Sequence, residues 1–173
     1  MSKVKVGELD PLGLLYERYK GPVFGFFYHQ HGDKMLAEDL VQGVFMRVMK
    51  YRGSFKEQSQ FKSWLFQIAR NISNDQFKKS KGFQEELKEE HMTIKATNES
   101  ANDREEQLTL MEKALSQLDI EKREILTLSK LEALKYREIG ELYDCTESAI
   151  KVKVFRAMKA LKKKYVELEI SEQ

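Results

Sequence analysis

The sequence of 173 residues predicts an all-α fold made of two small helical domains that are joined by a flexible tether. Three observations predict this fold class. Apolar residues recur at helical spacing in almost every periodic segment, and no alternating run is long enough to suggest a strand. The only two prolines are Pro11 and Pro22, so nothing after residue 22 forbids long helices.

The first predicted domain covers residues 1–80 and contains three helices. One is expected over residues 12–28, with a possible interruption near Gly21 and Pro22. The other two, over residues 35–51 and 61–79, each carry an apolar stripe with a period near 3.6 residues.

Residues 81–103 differ in character and are predicted to be the tether. They are acidic and polar, with 6 Asp or Glu and 3 Lys, and they contain few large apolar side chains. Such a segment cannot bury enough apolar surface to order itself strongly. The alternative is a solvated surface helix over part of the segment.

The second predicted domain covers residues 104–173 and contains four helices. Leu108, Met111, Leu115 and Leu118 follow the spacing of an amphipathic helix. The second helix begins after Asp119, a predicted N-cap, and runs to about residue 131. The third covers residues 136–143, and the fourth runs from about residue 147 to residue 165.

The last two helices are separated by Asp144, Cys145 and Thr146, a spacing typical of a helix-turn-helix. The C-terminal domain is therefore predicted to be a four-helix helix-turn-helix domain. Gly140 would let the second helix cross closely, Asp144 can adopt the left-handed conformation of a tight turn, and Thr146 can cap the last helix. Cys145 is interpreted as a small buried turn residue.

The last helix carries a run of one charge sign that indicates an anionic partner. Between residues 151 and 164 there are seven Lys or Arg and no Asp or Glu. The start of a recognition helix enters the major groove, so its first residues are placed to contact base edges and the later cations to contact phosphates. The alternative for the cations is an ordinary solvated face, and Phe155 is interpreted as half in the core and half facing DNA. The predicted DNA-contacting residues of this helix are Thr146, Ser148, Ala149, Lys151, Val152, Lys153, Phe155, Arg156 and Lys159, followed by Lys162, Lys163 and Lys164.

A second candidate site lies in the N-terminal domain, where aromatic and basic residues alternate around the single tryptophan. This composition suits unpaired bases, because each base can stack on a ring and a cation can hold its phosphate. The alternative is core packing, which the spacing of Phe61, Trp64 and Ile68 favours for Trp64. The candidate residues are Tyr51, Arg52, Phe55, Phe61, Lys62, Trp64, Gln67, Arg70, Asn71, Asn74, Lys78 and Lys79.

Several function classes are not expected. One cysteine and three scattered histidines cannot form an intramolecular disulfide or a tetrahedral zinc site, so no metal or cofactor is predicted. No nucleophile–base set or glycine-rich phosphate loop is present, so an enzyme is not predicted. No apolar run reaches the ~18–20 residues of a membrane span, and no signal peptide is evident, so no membrane insertion and a cytoplasmic location are expected.

Two blocks of the sequence resemble the extracytoplasmic-function sigma factors of bacterial RNA polymerase. AEDLVQ at residues 37–42 and FKSWLFQIARN at residues 61–71 resemble the second conserved region of that family. LSQLDIEKRE at residues 115–124, the helix-turn-helix, and AIKVKVFRA at residues 149–157 resemble the fourth region. The two blocks occur in the order in which the family has them.

The resemblance implies a promoter-specific initiation factor that binds core RNA polymerase and promoter DNA. The C-terminal domain would bind the −35 duplex, and the N-terminal domain would open the −10 element, with the loop of residues 51–60 and Asn71 holding an extruded base. An anti-sigma factor is the implied inhibitor. The residues implied to contact polymerase are Asp39, Leu40, Gln42, Val44 and Phe45.

The sequence departs from the family pattern at three positions. Gly43 stands where the family usually has Glu, Lys135 where a Ser commonly caps the helix, and Val152 where a Ser is common. The alternative function is a helix-turn-helix regulator that binds duplex operator DNA without core polymerase. The blocks at residues 37–42 and 61–71 discriminate between the two, because a plain regulator has no reason to carry them.

Overall fold

The computed structural model describes residues 10–56, 59–84 and 103–171 and has no strand among them. The chain divides into two compact units, Met1–His91 and Met92–Gln173. The predicted all-α class with two helical domains is therefore confirmed. Most of the predicted tether lies outside the described residues, and the boundaries at residues 80 and 103 stay predictions.

The N-terminal unit contains three long helices: α1 (Asp10–His31), α2 (Lys34–Tyr51) and α3 (Phe61–Gln84). The predicted interruption of the first helix was wrong, because α1 continues through Pro22. Directly after the proline, Val23, Phe26 and Phe27 are fully buried. Packing of these side chains holds the second half of the helix in line at a position where sequence alone favours a break.

The core of this unit is aromatic and β-branched. Phe26 and Phe66 meet edge to face with ring centroids 5.7 Å apart, and Leu65, Val44 and Val48 are fully buried. Asp33 caps α2 by accepting a hydrogen bond from the Leu36 N–H at 3.0 Å. The three helices therefore share one core, and the outer faces of α2 and α3 are exposed.

The C-terminal unit contains α4 (Asp103–Ser116), α5 (Ile120–Leu126), a π-helical turn (Thr127–Leu131), α6 (Tyr136–Tyr143) and α7 (Glu147–Ser171). The four predicted helices are present, and α7 is longer than expected. The predicted cap at Asp119 is confirmed, because its carboxylate accepts a hydrogen bond from the Lys122 N–H at 2.9 Å.

The buried face of α4 differs from the predicted one. Leu108 and Met111 are 59% and 42% exposed, whereas Leu110 and Ala114 are buried with Leu115. The packing of α4 against α7 explains the difference. A fully buried alanine at this contact lets the two helices approach closely, which a stripe of large side chains would prevent.

On α7 the core-facing residues are Ile150, Val154 and Ala157, as predicted, with Leu161 and Tyr165 half-buried. Met158 was predicted on this face but is 42% exposed. It lies at the edge of the stripe, where the small Ala157 already closes the contact.

Candidate nucleic-acid interface

The turn between α6 and α7 is held tightly against Gly140. Asp144 has φ 50° and ψ 47°, the left-handed conformation that the sequence predicts. The Cys145 N–H donates to the Gly140 carbonyl at 2.9 Å. A Cβ on Gly140 would lie 2.6 Å from the Cys145 carbonyl oxygen. Glycine is therefore required at position 140 by the backbone of the turn. The sequence had suggested that the close crossing of the second helix requires it.

Both helices of the motif begin with a capping hydrogen bond. The Thr146 hydroxyl accepts from the Ala149 N–H at 3.2 Å, which confirms the predicted cap of α7. At the start of α6 the Lys135 side chain makes no cap, but the Glu138 carboxylate accepts from the Lys135 N–H at 2.7 Å. Half of a capping box thus replaces the serine cap that this position lacks.

A half-buried arginine fixes the corner between α4 and α5. The Arg123 guanidinium donates to the carbonyl oxygens of Ser116 and Leu118, each at 2.8 Å. Burial lowers the pKa of Arg123, but a guanidinium stays charged at any physiological pH. These two carbonyl oxygens near the end of α4 therefore accept hydrogen bonds from a charged donor. The two hydrogen bonds position α5 against α7.

The outward face of α7 is exposed, as the sequence predicts. Its exposed side chains are Ser148, Lys151, Val152, Phe155, Arg156 and Lys159, while Ala149 and Lys153 are half-buried. Phe155 was interpreted as half core, and this was wrong because 71% of its surface is exposed. Cys145, predicted as buried, is only half-buried.

The seven cations of α7 are not equally available to a partner. Lys151 pairs with Glu147 at 2.9 Å, and Lys153 pairs with Glu121 of α5. Lys163 and Lys164 pair with Glu167, at 3.7 Å and 3.1 Å, and the hydrogen bond from Lys164 holds the pKa of Glu167 below its ordinary value.

The other three cations of this helix are Arg156, Lys159 and Lys162. None of them forms an ion pair with a residue that the structure describes. Arg156 lies beside the exposed face, Lys159 lies on it, and Lys162 follows one turn after Lys159. These three are therefore the most available cations of α7, and we call them the open cations.

In the N-terminal unit, α3 carries a polar stripe of Gln67, Asn71, Asn74 and Lys78. Their spacing of four, three and four residues places them on one side of the helix. Asn71 and Lys78 are exposed, and the Gln67 side-chain amide donates to the Asn71 side-chain oxygen at 3.4 Å. The structure thus brings together four of the residues that were predicted to contact the −10 element.

The aromatic residues before this stripe pack mainly on one another. Phe55 is 5% exposed, and its ring centroid lies 5.3 Å from that of Trp64 and 6.2 Å from that of Phe61. The prediction that Phe55 contacts DNA is therefore corrected: its ring lies in a core cluster. Phe61 and Trp64 are half-buried in the same cluster, in agreement with the structural interpretation of Trp64.

The remaining members of this set lie around the cluster. Tyr51 is 47% exposed, and Arg52 donates to the Met49 carbonyl at 2.6 Å, which ties the turn to the end of α2. Lys79 is exposed, and Lys62 and Arg70 are partly exposed. Residues 57 and 58 of the predicted pocket wall lie outside the described residues.

The residues of α2 that were predicted to contact polymerase differ in their burial. Asp39 and Gln42 are exposed and Leu40 is half-buried. Val44 and Phe45 are 0% and 7% exposed, so the prediction that they contact polymerase is corrected: these side chains pack in the core of the unit.

Two methionines on the same side of α2 were missed. Met35 is 78% exposed and Met46 is 71% exposed. They lie four residues before Asp39 and four residues after Gln42, so helical spacing would have found them. A cleft of about 410 Å³ between α1 and α2 adjoins this face, lined by Tyr16, Lys20, Gly21, Phe24, Glu38, Val41 and Gln42.

Within residues 10–56, 59–84 and 103–171, no three His, Cys, Asp or Glu side chains are grouped as metal ligands would be. No helix in these ranges has the length and apolar character needed to span a membrane.

Comparison with known proteins identifies both units. Residues 15–83 match Sigma-70 region 2, and residues 108–161 match Sigma-70, region 4. The ECF RNA polymerase sigma factor SigM of Bacillus subtilis is 32% identical, over 87% of this chain and 93% of its own length. The ECF RNA polymerase sigma factor BldN of Streptomyces coelicolor is 30% identical, over 93% of this chain but only 62% of its own length.

A solved structure agrees with these relatives. The sigma factor RpoE of Bartonella quintana, crystallised with the anti-sigma factor NepR, is 27% identical and has a TM-score of 0.71. The match covers 87% of this chain and 92% of that one. This chain belongs to the ECF family of RNA polymerase sigma factors.

Proposed function

We propose that this chain directs promoter-specific initiation by holding promoter DNA at two places while bound to core polymerase. The observation that carries the proposal is the outward face of α7, the second helix of a helix-turn-helix, where Ser148, Lys151 and Val152 are exposed near its start and the open cations come after them. A helix start in the major groove and cations on the phosphates are the standard geometry of this motif. We assign this face to the −35 duplex.

The polar stripe of α3 is assigned to the opened −10 element. Side-chain amides at Gln67, Asn71 and Asn74 can donate to and accept from the edges of an unpaired base. Lys78, exposed on the same side, can hold the strand through a phosphate. We place Tyr51 beside this stripe as a stacking platform, because nearly half of its surface is open.

The exposed face of α2 is assigned to core polymerase. Asp39 and Gln42 lie between the two exposed methionines, and methionine adapts well to a partner surface. An anti-sigma factor is proposed as the inhibitor, since the similar RpoE was solved with one. The chain acts without catalysis of its own, and we propose the cytoplasm as its location.

Run-off transcription tests the proposal directly. The full chain and core polymerase would be incubated with genomic fragments, and the start sites would be mapped. We expect initiation at a defined set of promoters that share elements near −35 and −10. Tight binding to a duplex operator without polymerase, together with no stimulation of transcription, would instead support an ordinary helix-turn-helix regulator.

Replacing Asn71 by alanine is expected to impair promoter opening more than duplex binding. Each base-edge hydrogen bond contributes about 1 kcal/mol, so open-complex formation should fall by roughly fivefold. Permanganate footprinting measures opening, and anisotropy measures binding to a duplex that contains only the −35 element. Gln107→Ala, which removes an exposed amide from α4, is the control and should change neither. An equal loss of opening and duplex binding would remove Asn71 from the opening step.

A further inference from the structure

Two large apolar side chains stand in the middle of the outward face of α7. Val152 is 48% exposed and Phe155 is 71% exposed, and they are separated by one helical turn. The helix buries Ile150, Val154 and Ala157 on its other side. The pair is therefore excluded from the core of its own unit and faces outward at the DNA-facing part of the helix.

Cations flank this pair on both sides. With about 100° of rotation per residue, Lys151 projects on one side of the line through Val152 and Phe155, and Arg156 projects on the other. Ser148 and Lys159 continue the line at its two ends. If Arg156 reaches a phosphate on one edge of the groove and Lys151 exchanges Glu147 for a phosphate on the other, Val152 and Phe155 meet its floor.

The apolar group that distinguishes one base from another in the major groove is the thymine C5-methyl, and the other groups of the readout code are hydrogen-bond donors or acceptors. Neither Val152 nor Phe155 can hydrogen-bond through its side chain. We infer that Val152 and Phe155 select thymines in the −35 element by packing against their methyl groups. This inference rests on the proposed binding of α7 to the −35 duplex.

The test removes the methyl group and nothing else. Holoenzyme made from the full chain and core polymerase selects its −35 duplex from a random library. Each thymine of the selected duplex is then replaced, one at a time, by deoxyuridine, and affinity is measured by anisotropy. We expect two positions at which the uracil duplex binds about fourfold more weakly, which is the value of one buried methyl group.

Variants then assign each position to a side chain. Val152→Ser should remove the uracil sensitivity at one position, and Phe155→Ser should remove it at the other. Val166→Ser is the matched control. Val166 is 39% exposed on the same helix, but it lies about 21 Å beyond Val152 along the helix axis. Both uracil effects should persist in this control. All three side chains are exposed, so the variants keep the fold, which circular dichroism verifies.

The outcomes separate this inference from the proposed function. If the holoenzyme selects no −35 element, binding of α7 to duplex DNA is itself wrong. If it selects one that lacks thymine, or whose uracil form binds equally well, only the methyl contacts are overturned. Uracil sensitivity that persists in the Val152→Ser, Phe155→Ser double variant would also overturn them, because another residue would then contact the methyl groups.

Discussion

Replacing Arg156, Lys159 and Lys162 together by glutamine is expected to weaken binding to a −35 duplex by roughly 500-fold at about 0.1 M salt. Each phosphate contact contributes about −0.9 to the slope of log affinity against log salt, so three contacts supply more than two decades relative to 1 M salt. The slope should fall by about 2.7 in the variant. Anisotropy titrations between 0.05 and about 0.3 M salt measure both quantities, a range over which such slopes are usually linear.

The matched control loses the same formal charge elsewhere. Lys34, Lys50 and Lys56 are exposed on the N-terminal unit, and their replacement by glutamine should leave the affinity for a −35 duplex within about twofold, because none of them belongs to the outward face of α7. An equal loss in the two triple variants would mean that net charge, and not the open cations, determines binding.

Removing an acid should have the opposite effect. Lys153 is paired with Glu121, so Glu121→Gln frees one cation and deletes one negative charge beside the helix. The salt slope should then become steeper by up to about 0.9, the value of one added phosphate contact. An unchanged slope would show that Lys153 joins α5 to α7 and does not reach the DNA.

Gly140→Ala is expected to destabilise the C-terminal unit by about 1–3 kcal/mol and to abolish −35 binding. The added Cβ would lie 2.6 Å from the Cys145 carbonyl, and that oxygen belongs to backbone, so relief requires the turn to move. Moving the turn changes the angle at which α7 leaves α6. Urea denaturation followed by amide exchange in each unit measures the stability, and anisotropy measures the binding.

Gly43→Ala provides the contrast. Gly43 also lies inside a helix, but the nearest atom to an added Cβ is the Ile72 Cδ1 at 3.9 Å. There the substitution should stabilise the N-terminal unit by up to about 1 kcal/mol, because alanine favours helix and nothing clashes. If both alanine variants were stabilised equally, the close packing of the turn on Gly140 would be wrong.

Local features of the motif were predictable from the sequence because they depend on neighbouring residues. Asp119 and Thr146 cap their helices through hydrogen bonds three residues away, and Asp144 takes the left-handed conformation that a short turn requires. The outward face of α7 followed from helical periodicity once its apolar stripe had been recognised. The polar stripe on α3 follows from the same periodicity, because spacing alone places its members on one side.

The sequence could not predict which apolar side chains are buried, because burial depends on helices that are far apart in the chain. The sequence analysis assigned Val44 and Phe45 to polymerase contact and Phe55 to DNA contact. All three side chains lie in the core. Phe155 was placed partly in the core, yet it is exposed because Ile150, Val154 and Ala157 fill the opposite side of α7. Sequence periodicity identifies a stripe, but its edges depend on the shape of the helix that packs there.

The sequence by itself determined the all-α class, the two helical domains, the helix-turn-helix and the cation-rich helix, since each depends on local spacing or composition. Only the tertiary structure decided which cations of α7 remain available to bind phosphates. Lys153 meets Glu121 across 32 residues of chain, whereas Arg156 meets no acid among the described residues. Only the folded unit left Val152 and Phe155 uncovered, because exposure is a property of the packed helices and not of the residue alone.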